Sequence, residues 1–266
     1  MDLVSLWEDD NTAMVALEGL RPGGEYAGWQ GPMDIAIGAI GPGETWEEAA
    51  RGAYDARWRA SLSNLQEYRR GLPGTTYIRF AHEMNGDWYP WSVDVDNYRA
   101  FIEAWRRFRA MQQEIFPSSQ MVFSANREAV GTGMDWRQMF PGAQYVDVMG
   151  VDYYNQWPCV ETQEEWNYAV VEKDEYGAPR GIEPHRQFAR SVGLPLAVPE
   201  WGCNADQCDS PVYIENMYDY FRAHAGSGPG ELLYESLFNV DFGGDRWRLY
   251  GSDRMPLAAA RYRELF

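Results

Sequence analysis

Glu83, in R-F-A-H-E-M-N-G-D-W-Y-P (79–90), and Glu200, in V-P-E-W-G (198–202), each close an apolar, β-like run and lead into a glycine- or aromatic-rich loop. Two carboxylates facing each other across a cleft are the minimum equipment for glycoside hydrolysis. One must be protonated, to donate to the leaving oxygen. The other must be ionised, to attack or to activate water, and their surroundings split the two pKa values. Either glutamate alone reads more readily as a strand-end salt bridge; the pair, together with the aromatic loops, favours the chemical reading. His82 adjoins Glu83, where an ordinary strand-end polar residue is the alternative. Arg79 precedes Glu83 by four residues, which on a continuous strand puts both on one side. If that side is a barrel interior, the guanidinium needs an anionic partner, and a plain structural ion pair would serve.

The 266 residues include 12 Trp and 17 Tyr, and aromatic residues make up 15% of the chain. Core packing absorbs some of them. Trp29, Trp88, Trp91, Trp157 and Trp201 differ in lying beside Gly, Pro, Asn or Asp, in loop-like contexts. There a flat ring suits the flat, C–H-rich face of a sugar, although Trp157 and Trp201 could equally cap the core. The net charge of −17 leaves no basic footprint for nucleic acid. It disfavours polyanionic substrates and is compatible with a neutral polymer.

Cys203 and Cys208 flank the polar loop C-N-A-D-Q-C and are the candidate disulfide, leaving Cys159 as an odd thiol. There is no C-x-x-C, and His82, His185 and His224 are far apart in sequence, so no metal site is expected. No cofactor is implied either, since G-x-G-x-x-G and G-x-x-x-x-G-K-[ST] are both missing. No stretch is apolar for long enough to insert in a membrane. Met1-Asp2-Leu3-Val4 does not start a secretory signal; a signal could have been removed, or export could take another route.

The elements that must position these groups alternate between strand and helix. Mostly apolar β-like runs fall at 4–7, 34–40, 76–81, 121–125, 146–151, 195–199 and 232–238, as expected of strands buried on both faces. Helices are expected over 44–70 and 97–116, and near 183–192, 211–225 and 256–265. This reads as a parallel α/β fold. Polar residues gather at the ends of several runs: His82-Glu83, Asn126, Asp152 with Tyr154, Glu200 and Asn239. Several strand ends contributing to one site is the pattern of the (β/α)8 barrel, and the length suits one such domain over 1–266.

The segment R-F-A-H-E-M-N-G-D-W-Y-P-W closely resembles the acid/base segment of glycoside hydrolase family 26, the β-mannanase family of the retaining clan of (β/α)8 glycosidases. V-P-E-W-G resembles that family's nucleophile segment on strand seven, and M-G-V-D-Y-Y-N its strand-six segment. F-S-A-N resembles the strand-five Ser-x-Asn, and G-A-Y-D the Gly-x-Tyr-Asp before strand four. The likeness covers roughly residues 30–240. Only the first motif is long and specific; the order and spacing of the others add weight.

The resemblance implies a role for each matched residue. Glu83 would be the general acid/base and Glu200 the nucleophile. His82, where most of the clan carries Asn, would contact the sugar at the cleavage subsite and support Glu200. Arg79 would be a buried partner that keeps Glu200 ionised, and Tyr154 would donate its hydroxyl to it. Trp88 would form part of the sugar platform, with Asn126 and Asp152 as supporting polar residues. Trp91, Trp157 and Trp201 are further substrate-binding candidates. The implied enzyme is a secreted or extracellular-acting, retaining endo-glycosidase that degrades a neutral β-linked polysaccharide. β-1,4-Mannan is the family's commonest substrate; mixed-linked β-glucan, β-1,3-xylan, another cell-envelope glycan within a larger assembly, or a non-catalytic glycan-binding barrel are the rivals. No protein partner is readable.

One departure from the family concerns the count of strands. If Glu83 follows strand four, the run at 34–40 is strand three and the run at 4–7 is strand two, and nothing remains for strand one. The chain could be cut from a longer protein, or the barrel shortened with a neighbouring segment or partner chain filling the gap. The preferred expectation is a poorly patterned strand hidden in 11–30, because a two-edged parallel barrel is hard to keep soluble.

Overall fold

The computed structural model describes residues 3–241 and 243–266; Met1 and Asp2, which begin the stretch read for an export signal, lie outside them. Seven strands are found among the described residues: β1 (Val4–Glu8), β2 (Met33–Ile37), β3 (Thr76–Phe80), β4 (Gln120–Asn126), β5 (Val148–Asn155), β6 (Leu196–Cys203) and β7 (Leu232–Leu237). Each corresponds to one of the β-like runs, and in the sheet they keep their order of appearance. The residues group into two compact units, 1–149 and 150–266.

In the first unit β1, β2, β3 and β4 pair in parallel, with Val4 opposite Met33, Met33 opposite Thr76 and Tyr77 opposite Gln120. α3 (Asp55–Arg69) and α4 (Tyr98–Ile115) supply the cover. Alternation along β3 sends Ile78 and Phe80 to one face and Tyr77 and Arg79 to the other. Phe80 stacks on Phe108 of α4 at 4.1 Å and meets Trp58 of α3 edge-on at 5.1 Å. Trp46, Phe101, Trp105 and Phe123 extend that aromatic layer, so many of the chain's aromatic residues are core.

The helix expected over 44–70 is two helices, α2 (Trp46–Ala50) and α3. The break falls at Gly52, whose φ is +89°, and the Arg107 guanidinium lies where a Cβ would be. Arg107 is held there by Asp55, Nε to Oδ1 at 2.6 Å. The G-A-Y-D segment therefore does structural work in this chain.

The strand expected in 11–30 is not there. That segment holds the one-turn helix α1 (Ala13–Ala16) and a series of turns. Asp10 Oδ1 accepts the amides of Thr12 and Ala13, and Leu17 ends the turn at a φ of 46°. Local side-chain hydrogen bonding and the Pro22-Gly23-Gly24 turn leave no extended run. The motif-bearing strands are accordingly β3, β4, β5 and β6, each one lower than its number in the family's pattern.

In the second unit, β6 and β7 pair in parallel. α5 (Gln163–Ala169), α6 (Ile182–Ser191), α7 (Pro211–His224) and α8 (Pro256–Leu265) accompany them. α5 was not anticipated: its capping box, Thr162 with Glu165, lies in an acidic stretch without an apolar stripe. In α6, burial would raise the pKa of Glu183, but hydrogen bonds from Arg186, Gln187 and Tyr220 outweigh it and bring it to about 2. The depressed value means stability that is fully present above the unfolded pKa and is lost as pH falls from about 4.5 towards 2. Glu183→Gln is expected to cost about 1–2 kcal/mol at pH 7. Urea titrations of both proteins should show that difference shrinking across the same pH window.

Candidate active site

Glu83 does not end a strand. β3 stops at Phe80, and Ala81 and Glu83 both take left-handed backbone conformations, at φ 53° and 52°. Side chains other than glycine pay of order 1–3 kcal/mol for such a φ, and such residues cluster at functional sites. The alternation argument linking Arg79 to Glu83 thus fails. Arg79 is on the strand and fully buried, with Nε donating to Asp34 Oδ1 of β2 at 2.6 Å. This is an ion pair of the kind weighed above, which does not exclude a role beside Glu200, and Asp34 is a partner that sequence reasoning missed.

The backbone N–H of Glu83 bonds Ser124 O of β4 at 2.9 Å. Its carboxylate, only 6% exposed, receives side-chain donors on both oxygens. Asn126 Nδ2 donates to Oε1 at 2.5 Å and Trp88 Nε1 to Oε2 at 2.8 Å. The orientation of the Asn126 amide is fixed independently, because its Oδ1 accepts the Glu128 amide at 2.7 Å.

Asn85, unassigned from the sequence although it stands in the quoted motif, ties this loop to β4. Its Nδ2 donates to Asn126 O at 2.7 Å, and its Oδ1 accepts the Asn126 amide at 2.8 Å, as a neighbouring strand would. Gly86 has a steric duty, because the six-membered ring of Trp88 lies where its Cβ would be. Gly86→Ala should push the indole off Glu83. With a hydrogen bond to a charged group worth roughly 1.5–3 kcal/mol, kcat on a poor leaving group should fall about tenfold or more. The alkaline limb of the pH–rate profile should shift with it, which steady-state kinetics across pH would show.

His82 is fully buried, its Nε2 3.2 Å from the Tyr89 hydroxyl and 4.0 Å from Asp9 Oδ2. Trp91 is 2% exposed. It donates Nε1 to His82 O at 2.8 Å and stacks on Tyr89 at 4.4 Å. Trp91 is therefore a buttress beneath His82, which corrects its reading as a sugar platform. Trp29, with its Nε1 on Pro32 O, closes a turn far back in the chain.

In the second unit, the Tyr154 hydroxyl of β5 donates to Glu200 Oε2 of β6 at 2.8 Å, and both residues are nearly buried. Asp152 is fully buried two residues before Tyr154, on the same side of β5 by alternation. Trp247, which the sequence did not flag, packs on Tyr154 at 4.6 Å; its only sequence signal was a tryptophan shortly after Gly243-Gly244.

The pairing of β6 with β7 slips between Val198 (opposite Glu235) and Trp201 (opposite Leu237), so β6 carries one extra residue around Pro199-Glu200. Proline cannot donate to the ladder and belongs at such a bulge, and a bulge re-aims the next side chain. Trp201 lies among Tyr213 and Phe221 of α7, Tyr262 of α8 and Phe266 just beyond it, fully buried, with Nε1 on Glu235 Oε2 at 2.5 Å. It packs under the helices and is not a platform, because it faces away from the side that Glu200 takes.

Trp157 is 56% exposed and Trp88 44%, the two indoles of the predicted set that remain open to solvent. The disulfide joins Cys159 to Cys208, with Cα atoms 6.3 Å apart, correcting the expected Cys203–Cys208 pair. Cys203 ends β6 with its side chain buried, and burial pushes its thiol up to about 12. Cys208, beyond the turn at 204–207, lies instead against the segment after β5, where Asn155 Nδ2 approaches its sulfur at 3.4 Å.

Residues 56–179 match the profile of glycosyl hydrolase family 26. Over those residues the chain resembles that family. It is 24% identical over 230 residues to Endoglucanase H of Acetivibrio thermocellus, covering 83% of this chain and 23% of that protein. It is 23% identical over 254 residues to the mannan endo-1,4-beta-mannosidase of Bifidobacterium adolescentis, covering 91% of this chain and 22% of that one. The chain thus spans less than a quarter of the length of these two relatives. Among solved structures, the catalytic domain of the Bacillus sp. JAMB-750 family 26 endo-beta-1,4-mannanase matches with a TM-score of 0.57 and 15% identity, over 95% of this chain and 69% of that one. This likeness shows the fold, that of the (β/α)8 barrels, here with seven strands among the described residues.

Proposed function

We propose that this protein is a family 26 retaining endo-glycosidase acting on a neutral β-linked polysaccharide, with Glu83 as acid/base and Glu200 as nucleophile. One observation carries the reading: each glutamate is nearly buried at a distorted backbone position and is held by side-chain donors, Glu83 by Asn126 and Trp88, Glu200 by Tyr154. In this reading residues 1–266 act as one catalytic domain.

The steps follow from double displacement. The Glu200 carboxylate attacks the anomeric carbon while Glu83 gives its proton to the departing oxygen. Glu83, now ionised, takes a proton from water, which cleaves the glycosyl ester. Tyr154 fixes the attacking oxygen, and Asn126 and Trp88 stabilise Glu83 in its ionised state. His82 contacts the sugar at the cleavage point and supports Glu200, Arg79 and Asp152 set the local field, and Trp88 and Trp157 offer aromatic faces to the chain.

β-1,4-Mannan is the first substrate to test. The second is a β-glucan, favoured by the likeness to a protein named endoglucanase. A disulfide suits an oxidising, extracellular setting, and none of the described helices is long and apolar enough to cross a membrane. A reducing-end assay on soluble β-1,4-mannan, mixed-linked β-glucan and β-1,3-xylan is expected to show mid-chain cleavage of one of them, mannan first. Binding without cleavage of any would instead favour a non-catalytic glycan-binding barrel.

A further inference from the structure

We propose that the Cys159–Cys208 disulfide is a positioning device for Trp157, setting it as a sugar-stacking platform for long glycan chains; this rests on the glycosidase reading above. Trp157 leaves β5 three residues after Tyr154, the residue that bonds Glu200, so it departs from the same strand end. More than half of its surface is exposed. A large indole left in water on a loop needs a reason, and a ligand that covers it is one.

The main chain around Trp157 is held at several points while the indole is not. Asn155 accepts the Val160 amide at 2.7 Å and donates to Val160 O at 3.1 Å, closing the loop at its base. Arg180, paired with Glu172 at 2.5 Å, donates to Trp157 O. The Asn204 amide bonds Asn155 O at 3.2 Å, which brings the Cys208 turn alongside, and the disulfide joins the two segments. On the α5 side the loop borders an open cavity of about 550 Å³ lined by Pro158, Val160, Thr162 and Tyr168. Side-chain packing does not fill that side, so the covalent link and the hydrogen bonds hold the loop. Fixing a platform before the sugar arrives removes the ordering cost from binding and leaves the bond-breaking step untouched.

The test uses the full chain as wild type, Cys159→Ser/Cys208→Ser, Trp157→Ala and the combined triple variant. KM and kcat are measured on the soluble polymer that wild type cleaves among mannan, mixed-linked β-glucan and β-1,3-xylan, with melting temperature recorded in parallel. The serine pair should raise KM about tenfold with kcat within twofold of wild type. Trp157→Ala should raise KM to a similar extent, and the triple variant should be no worse than Trp157→Ala alone. An unchanged KM in the serine pair overturns the proposal. So does a triple variant whose losses multiply, or a fall in kcat that tracks the melting temperature, since either makes the bond a structural staple. If wild type neither cleaves nor binds any of the three polymers, the glycosidase reading itself falls and takes this inference with it.

Discussion

Glu200→Ala is expected to lower kcat on the cleaved polysaccharide by about 10⁴-fold or more, with KM little changed. In the proposed mechanism Glu200 forms the glycosyl ester, and its carboxylate is the one aimed by the Tyr154 hydroxyl, at 2.8 Å. The substitution removes a nearly buried charge from a site packed by Trp247 and Phe238, so the variant should fold and still bind its glycan. Small external anions then fit the vacated volume. Azide should restore turnover of an activated aryl glycoside and give a product of inverted configuration, because a single displacement replaces two. Activity within tenfold of wild type would remove Glu200 from the chemistry.

Glu83→Ala is expected to behave differently, and the difference identifies the role. A general acid contributes about 10²- to 10⁴-fold. For substrates with a poor, sugar leaving group the loss should approach the upper end. For a dinitrophenyl glycoside, which needs no proton to depart, glycosylation should be nearly normal and the glycosyl-enzyme should accumulate, visible as a burst. Azide should restore turnover here with retained configuration, since it attacks the intermediate. Asn126 and Trp88, each left without the carboxylate they serve, make some local relaxation inevitable. The leaving-group dependence separates lost chemistry from lost packing, since a misfolded variant would be slow on every substrate.

The strand–helix alternation was legible because the β-like runs are continuously apolar and bounded by breakers, and all seven became strands. Less visible was anything decided by a local side chain. Gly52 splits the 44–70 helix through Arg107, and Asp10 turns residues 11–30 away from a strand. The residue types and motifs singled out Glu83, Asn126, Tyr154 and Glu200, and the structure supplies the Asn126–Glu83 and Tyr154–Glu200 hydrogen bonds. Composition alone could not sort the tryptophans. Trp91 and Trp201 share loop-like neighbours with Trp88 and Trp157, yet strand alternation and stacking bury them. Which cysteine meets Cys208 also depended on where the chain returns, which spacing does not encode.

The most direct test of the central claim, double displacement through two glutamates, is proton NMR of the anomeric signals during the first minutes of hydrolysis by the wild-type protein. The account predicts that the β-anomer of the new reducing end appears first and only later mutarotates to the equilibrium mixture. First appearance of the α-anomer would mean direct displacement by water and would contradict the assignment of Glu200 as nucleophile.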